Sequence, residues 1–216
     1  MLKRVLVTIL ILLGLLPAGV WFFGPALIAP RVNFEQGPGG AIAYISIAQQ
    51  LRTQATALWN GKDISLKVTE PEFSGMLSSA LLSGRTQHNP LRKVRAELRA
   101  DQIRVESVLM VIDDRVPKRF QGPIGLELWV RPQMAAGAQV RFQITSAAIG
   151  RIPVPIRLIQ WAGRTLQVDT PGFSASDAAI TLPLGDMVGS QIGRKVELKQ
   201  FSVQQAELTM MAAVSR

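Results

Sequence analysis

The stretch VTEPEFSGMLSSALLSG, residues 68–84, carries the signals of a helix at both of its ends. Thr69 precedes Glu72 by three residues, which is the spacing of a capping box, in which two residues satisfy each other's free amides. Pro71 needs no amide partner in the first turn, and Gly84 stands where a helix would end. The stretch therefore predicts a helix that begins directly after Thr69.

The predicted helix has one continuous apolar face, formed by Phe73, Met76, Leu77, Ala80 and Leu81. Just before the helix, DISLKV at residues 63–68 alternates polar and apolar residues, which is typical of a short strand with one buried face. An apolar face of this kind usually packs in the protein's own core. The same face could instead line a space wide enough for an acyl chain, so both interpretations stay open.

Long runs of alternating polar and apolar residues follow at 91–112, 122–132, 138–150 and 194–214. The first run is predicted to be a hairpin that turns near Asp101, and the last a hairpin that turns near Gln204. Short connections favour sequential antiparallel neighbours in one sheet. We expect one face of this sheet to be exposed to water, the wet face, and the other face to be apolar. The outward polar positions are Arg95, Glu97, Arg104, Glu127, Arg141 and Gln143.

Three further helical pieces are predicted. An amphipathic helix at about 40–60 has a polar face that is expected to meet water. That face consists of Gln49, Gln50, Arg52 and Gln54. A helix at about 154–165 follows from Pro153 and Pro155, which can open a helix but cannot continue a central strand. A short helical turn is expected near 185–192, after a strand that contains Ile180 and Leu182.

These elements together predict an α+β protein. A single N-terminal transmembrane helix would precede one domain, in which a long, curved, mainly antiparallel sheet packs against two or three helices. The predicted organisation is a cytoplasmic stub and transmembrane anchor at residues 1–30, a linker and amphipathic helix at 31–61, and an extracytoplasmic α+β domain at 62–216.

The anchor is predicted from residues 5–23, which contain no charged residue. As a helix this run would span roughly 28 Å, close to the thickness of a bilayer's hydrocarbon core. Lys3 and Arg4 precede it, so the N-terminus should be cytoplasmic, in a single-pass protein of the cell membrane with its domain outside. A cleaved signal peptide is the rival interpretation. The chain has no cysteine, so disulfides cannot stabilise the outer domain.

Without Lys3 and Arg4, 22 of the 24 basic residues remain against 15 acidic ones, and the resulting charge of +7 on the outer part favours contact with anionic lipid headgroups or acidic wall polymers. A solvated basic face without a specific partner is the alternative. Basic residues are most crowded at Arg85, Arg92, Lys93, Arg95 and Arg99. Nucleic acid is not expected as a partner, because the domain is predicted to lie outside the membrane.

Catalytic motifs are lacking in the sequence. His88 is the only histidine, and without cysteine no zinc site of ordinary type can be built in one chain. GFSAS around Ser174 fails the G-x-S-x-G pattern at its last position. The adjacent Asp113 and Asp114 are expected to be solvated. We therefore predict a protein that is not an enzyme and needs no cofactor or metal.

Two short motifs resemble those of a known family. SLKVTEPEFSGML at residues 65–77 is similar to the V-T-E-x-E-L-N-x-L-L pattern of the YpmS-like family of Gram-positive membrane-anchored proteins. IGRIPVPIRLI at 149–159 is similar to its G-x-L-P-L-P strand-to-helix turn. Ser74 stands where the family usually has asparagine. The chain also resembles, more loosely, the bacterial TULIP-like lipid-binding proteins. The resemblance covers roughly residues 64–214 and implies an extracytoplasmic, non-enzymatic domain with suspected lipid binding.

Two functions remain open from the sequence. The first is a membrane-anchored extracytoplasmic module that binds lipid or another amphiphile in a groove between helix and sheet. The residues expected to line that groove are Phe73, Met76, Leu77, Leu81, Leu126, Leu128 and Phe142. The second is a structural or assembly partner of another envelope protein, with a fully packed core and no ligand.

Overall fold

A computed structural model of the 216-residue chain describes residues 23–31, 45–46, 49–50, 52–54, 56–57, 60, 62–82, 91–112, 114, 116–136, 138–165, 173–174, 176–184 and 195–214. Residues 23–28 form a short helical turn, and the described residues between 45 and 57 are helical. Of the predicted anchor, all but Phe23 lies outside the described residues. Within the described part of the chain, no helix combines the length and the apolar character needed to cross a membrane.

The strands and helices are numbered in chain order. The strands are β1 (Ile64–Thr69), β2 (Leu91–Arg99), β3 (Gln102–Val111), β4 (Gly122–Ala135), β5 (Gln139–Ile149), β6 (Ile152–Val154), β7 (Phe173–Ser174), β8 (Ala179–Leu182), β9 (Val196–Gln204) and β10 (Glu207–Val214). The helices are α1 (Glu70–Leu82) and α2 (Ile156–Thr165), with a 3-10 turn at Lys118–Phe120. The predicted helices after Thr69 and at about 154–165 are thus confirmed, as are the turns near Asp101 and Gln204. The turn predicted near 185–192 lies outside the described residues.

The strands form two sheets, and every pairing is antiparallel. The larger sheet has the order β2-β3-β4-β5-β8-β7, with β6 also paired to β5. The smaller sheet has the order β1-β10-β9. Each strand from β2 to β5 therefore pairs with its neighbour in the sequence, as predicted.

The predicted fold class is wrong. The described residues are mainly antiparallel strand with few helices, rather than one sheet layered on two or three helices. The C-terminal hairpin does not extend the long sheet. It pairs instead with β1, where Val68 lies opposite Leu208. Alternation identifies a strand and its buried face but not its partner, and β1 and β10 lie at opposite ends of the domain's sequence.

The two sheets meet where their hairpins turn. The Asp101 amide donates to the Val203 carbonyl at 3.0 Å, and the Ala206 amide donates to the Leu98 carbonyl at 3.1 Å. Beside these bonds lies the first core cluster, which consists of Val68, Ala96, Leu98, Ile103, Val130, Ile144, Ala178, Val203 and Leu208. Burying each of its large side chains contributes about 1.5–3 kcal/mol, so this contact between sheets stabilises the domain.

A second core cluster lies at the other end of the smaller sheet. Its members are Ile64, Leu66, Val140, Val196, Leu198 and Ala212. Phe142, Phe201 and Met210 contact both clusters. The Phe142 and Phe201 rings meet edge to face, with centroids 5.9 Å apart. The apolar side chains of both sheets therefore form one continuous core.

Polar side chains from helices cover the outer edges of both sheets. On the smaller sheet, the Gln50 side chain bonds both backbone groups of Lys67, and Gln54 bonds both backbone groups of Ser65. The expectation that Gln50 and Gln54 face water is therefore wrong, because the unpaired groups of β1 are a better match for their amides. On the larger sheet, α1 covers the edge of β2 in a similar way.

Candidate functional site

The entry to α1 contains the predicted partners of the capping box. The Thr69 amide donates to the Glu72 carboxylate at 2.8 Å, and the Thr69 hydroxyl donates to the same oxygen at 2.9 Å. Burial by itself raises the pKa of Glu72, but hydrogen bonds from Ser46 and from Thr69 outweigh it, so the pKa lies below its ordinary value. Glu72 thus joins the helical residues between 45 and 57, β1 and α1 as an ionised carboxylate.

Two further polar residues of α1 fix the helix to the larger sheet. Leu98 donates its amide to the Glu70 carboxylate at 2.8 Å, and Ala96 donates its amide to the Ser74 hydroxyl at 3.1 Å. Ser74 is buried. The sequence interpretation treated α1 only as an apolar stripe and missed this polar one. Its signal was the spacing of Glu70 and Ser74, four residues apart, which places them on one side of the helix.

The predicted groove residues divide into two groups. Phe73, Met76, Leu77, Leu128 and Phe142 are half-buried, and each packs against the first core cluster. Leu126 is also half-buried but belongs to neither core cluster. The side chain of Leu81 lies outside the described residues. The structure therefore gathers five of the predicted residues around the core and leaves Leu126 outside it, two residues before Leu128 on β4.

The apolar face of the larger sheet becomes more exposed along its strands. Ile103 and Val130, which pair across β3 and β4 beneath the smaller sheet, are 1% and 8% exposed. Farther along the same face, Leu109 pairs with Ile124, and Leu126 pairs with Ile149. Ile149 is 36% exposed and the other three are half-buried. We call Leu109, Ile124, Leu126 and Ile149 the apolar patch.

The segment at 23–31 lies beside this end of the sheet. The Arg151 amide donates to the Leu27 carbonyl at 2.6 Å. Gly150 has a φ of +56°, and a side chain there would overlap Leu27 and Ile28. At Gly125 an added Cβ would lie 2.7 Å from the Pro30 Cα. Both glycines are therefore needed for the close approach of this segment.

Helix α2 follows the β5–β6 turn and has two different sides. Ile156 and Ile159 pack against the first core cluster. Leu158 and Trp161 are 50% and 61% exposed, and Ile152 just before the helix is 41% exposed. The sequence interpretation did not single out these residues, although Leu158 and Trp161 have helical spacing.

The opposite face of the larger sheet carries a network of ion pairs centred on Arg104. Its guanidinium contacts Glu127 at 3.1 Å, Glu97 at 3.1 Å and Glu106 at 2.9 Å. Arg95 also contacts Glu106, at 2.6 Å. These side chains include four of the six predicted for the wet face. That face is polar as predicted, but its central carboxylates are largely buried and paired.

Trp129 and Arg99 complete this network. The Trp129 ring nitrogen donates to Glu127 at 2.7 Å, and the Arg99 and Arg104 guanidinium carbons lie 5.3 and 5.5 Å from the ring centroid. Arg99 also contacts Glu97 at 2.7 Å. Two members of the predicted basic cluster, Arg95 and Arg99, are thus paired with carboxylates of the sheet, although both side chains stay partly exposed.

The ionisation of the network follows from these contacts. Hydrogen bonding to Glu127 raises the pKa of Arg104 above its ordinary value, against the effect of burial. Burial raises the pKa of Glu97 and of Glu127, but the paired guanidinium groups outweigh it and lower both values. Arg104, Glu97 and Glu127 therefore stay charged at neutral pH, which suits ion pairing rather than proton transfer.

Two hollows lie close to these groups. An open hollow of about 510 Å³ is lined by Glu70, Glu97, Leu98, Arg99, Ala100, Gln205 and Ala206. Its carboxylates already bond Leu98 and Arg99. A cavity of about 20 Å³ is lined by residues that include Pro30, Glu106 and Leu126. That space suffices for about one water molecule and not for an acyl chain.

Groups suited to catalysis or metal binding are sparse in the described residues. Within these residues, no three histidine, cysteine or acidic side chains lie close enough to hold a metal ion. Ser174 contacts Ser176 at 3.0 Å and donates to Asp177 at 3.2 Å, which itself pairs with Arg141 at 2.9 Å. His88 and Asp113 lie outside the described residues. The prediction that the protein is not an enzyme stays a prediction.

Comparison with known proteins finds no matching family model, no matching curated protein and no matching solved structure. The resemblance to the YpmS-like and TULIP-like families therefore stays a prediction. The function is therefore inferred from the geometry of the apolar patch and of the surfaces around it.

Proposed function

We propose that the protein is a single-pass protein of the cell membrane, with a cytoplasmic N-terminus and an extracytoplasmic domain that binds lipid or another amphiphile. The apolar part of the ligand lies on the apolar patch and extends toward α1. The observation that carries this proposal is the exposure of apolar residues at one end of a sheet face that is otherwise buried.

The patch has the chemistry of an acyl-chain site. Its four side chains are branched aliphatic residues on neighbouring strands, and cross-strand neighbours lie about 4.5–5.5 Å apart. A hydrocarbon chain laid across them would lose contact with water, at about 0.8 kcal/mol for each buried CH₂ group. The patch also continues from Leu128, which already packs against the core cluster, so binding would extend an existing apolar layer.

The packing of α1 favours the second candidate function. Phe73, Met76 and Leu77 contact the first core cluster, as they would in a domain with no room for a ligand between helix and sheet. In that case the apolar patch would be covered by another envelope protein. Leu126 is the residue on which the two candidates differ, because an acyl chain contacts it only in the first.

Photocrosslinking of lipid tests the proposal. The full-length chain is reconstituted into vesicles that contain a phospholipid with a diazirine in its acyl chain, and the crosslinked peptides are mapped by mass spectrometry. We expect labelling of the peptides that contain Ile124, Leu126 and Ile149, in addition to the anchor. Leu126→Asn should remove that label and leave the anchor label unchanged.

The matched control is Met134→Asn, which changes an exposed apolar residue at the other end of β4, outside the patch. This variant should keep the label on the patch peptides. Labelling confined to residues 5–23 in the wild-type protein would contradict the proposal and favour the assembly function.

A further inference from the structure

The exposed side of α2 combines apolar and basic residues. At 3.6 residues per turn, Arg157, Leu158, Trp161 and Arg164 fall on one side of the helix, opposite Ile156 and Ile159. All four are exposed, whereas the two isoleucines pack against the core. This side of α2 therefore serves no contact within the core that would explain a leucine and a tryptophan there.

The charge around this surface has one sign. From Ile149 to Thr165 the chain contains Arg151, Arg157 and Arg164 and no acidic residue. Asp177 is brought toward α2 because Gln160 donates to the Ser176 carbonyl at 2.9 Å. Asp177 is already paired with Arg141 at 2.9 Å. The surface is therefore complementary to an anionic partner.

The chain path brings the same end of the domain close to the predicted anchor. The predicted span ends at Phe23, and four residues later Leu27 accepts the Arg151 amide. Arg151 lies in the turn that leads through β6 into α2. A helical turn rises about 5.4 Å, so the bonded segment holds the β5–β6 turn within a short distance of the membrane surface.

From these observations we infer that the exposed side of α2, with Ile152, is a membrane-contact face that lies in the headgroup region of an anionic bilayer. Trp161 and Leu158 would enter the interface, where tryptophan is favoured, and the arginines would extend their charged ends to lipid phosphates. The inference rests on the anchor of the proposed function but not on lipid binding at the apolar patch.

The contact fixes the orientation of the domain as well as its location. A single anchor leaves a domain free to turn about its linker, whereas a second contact about one helix away restricts that motion. The apolar patch would then be held at a constant height above the bilayer, because Ile149 precedes Arg151 by only two residues.

A single reporter on α2 tests the inference. Because the chain has no cysteine, Leu158→Cys allows labelling with an environment-sensitive fluorophore at that position alone. The full-length protein is placed in nanodiscs that hold one copy each, made from zwitterionic lipid or from a mixture with anionic lipid. We expect blue-shifted emission and loss of quenching by aqueous iodide in the anionic nanodiscs.

The control label is placed by Gln205→Cys in the β9–β10 turn, which is exposed and lies beside the β2–β3 turn rather than beside α2. That label should stay accessible to iodide in both lipids. Raising the salt from about 0.1 M to about 1 M shortens the Debye length from about 10 Å to about 3 Å and should restore part of the quenching at position 158. Replacing Arg157 and Arg164 with glutamine should have the same effect without added salt.

Three results would overturn the inference. Equal iodide quenching at positions 158 and 205 in anionic nanodiscs would show that α2 stays in water. Shielding that appears only in crowded vesicles would assign this face to a second copy of the chain. If position 158 is shielded equally in both lipids and the arginine replacements have no effect, anionic lipid is not the partner of this face. Because Ile124, Leu126 and Ile149 are not altered, lipid crosslinking at the apolar patch reports separately on the proposed function.

Discussion

Gln54 forms with Ser65 the pair of hydrogen bonds that a neighbouring strand would otherwise supply. The Gln54 side chain donates to the Ser65 carbonyl at 2.8 Å, and the Ser65 amide donates back at 3.0 Å. Gln50 repeats the arrangement with Lys67 at 2.8 and 2.9 Å. Four residues of helix advance about 6 Å and two residues of strand about 6.7 Å, so side chains four apart can match alternate strand residues.

The same geometry appears at the edge of the larger sheet. Glu70 and Ser74, also four apart, accept the amides of Leu98 and Ala96, which are two apart. In both cases the helix runs against the direction of the strand. An exposed strand edge is a template for pairing with other chains. These side chains occupy some of the backbone hydrogen-bonding groups on the edges formed by β1 and β2. The helices thus protect the sheets as well as packing on them.

We predict that Gln54→Ala lowers the free energy of unfolding by about 1–3 kcal/mol, because two hydrogen bonds are lost at about 0.5–1.5 kcal/mol each. Urea unfolding of the full-length protein in detergent micelles measures the change. Arg52→Ala is the matched control, since Arg52 is exposed on the same helical segment. Equal urea midpoints for Gln54→Ala and the wild-type protein would show that the paired amides contribute nothing.

We predict that Thr69→Ala costs about 0.5–2 kcal/mol of stability through loss of its contacts with Glu72 at the helix start. Thermal melting of the full-length protein measures the cost. The cost should be greater than that of Thr53→Ala, whose hydroxyl only donates to the Gln50 carbonyl one turn earlier. Indistinguishable melting temperatures for Thr69→Ala and Thr53→Ala would show that the Thr69 hydroxyl does not stabilise the helix start.

The pH dependence of stability should report the ionised state of Glu72. Its folded-state pKa lies below the ordinary value of 4.5, so its contribution is fully present above that pH and is lost as the pH falls through the lower folded pKa. Glu72→Gln should therefore lose stability at neutral pH and approach the wild-type value in acid. Asp114→Asn, in an exposed turn, serves as the control. A stability difference that did not shrink in acid would rule out this linkage.

Arg104 should be the most sensitive residue of the ion-pair network. Arg104→Met leaves Glu97, Glu106 and Glu127 without their shared cation, and we expect a loss of about 3 kcal/mol, the lower end of the range for a broken buried pair. The matched control is Arg99→Met, because the Arg99 side chain is half exposed. Its loss should stay below about 1 kcal/mol.

The effect of Arg104→Met should also depend on pH. Removal of the guanidinium takes away a contact that lowers the pKa of Glu97 and of Glu127, so protonation in mild acid relieves the repulsion between carboxylates. The destabilisation should accordingly decrease between neutral pH and about pH 4, where model glutamates titrate. A loss of stability that is independent of pH would point to lost packing of the arginine stem instead.

Local sequence patterns predicted the elements better than their arrangement. Alternation located the strands from β2 to β5, because the side-chain period of a strand is set by its own backbone. Thr69 and Pro155 marked helix starts through contacts within a few residues. The pairing of β1 with β10 could not be predicted in this way, because it depends on contacts between distant parts of the chain.

The candidate site was predicted only in part for a similar reason. The apolar face with Phe73 and Leu77 was visible in the sequence, but what it packs against depends on where the smaller sheet lies. Ile149 was outside the predicted groove because alternation alone does not show which residues of an apolar face stay exposed. Trp161 was missed because an exposed tryptophan and a core tryptophan look alike in a short helix.

A tryptophan scan of two leucines separates the closed part of the apolar face from the open part. Leu77 packs against the first core cluster, so Leu77→Trp should overpack the core and cost about 1–3 kcal/mol. Leu126 lies in the apolar patch beside Ile149, so Leu126→Trp can place its ring over a half-exposed surface and should change stability little. Urea unfolding of both variants measures the difference, and lipid crosslinking is repeated on each.

The combination of results assigns the site. If the ligand occupies the apolar patch, only Leu77→Trp should destabilise the protein, and Leu126→Trp should lose the lipid label. A neutral Leu77→Trp that loses the lipid label would instead place an open groove beneath α1. Equal destabilisation by both substitutions, with no lipid label in the wild-type patch, would mean that the whole face is closed, and the domain would then function through contact with another envelope protein.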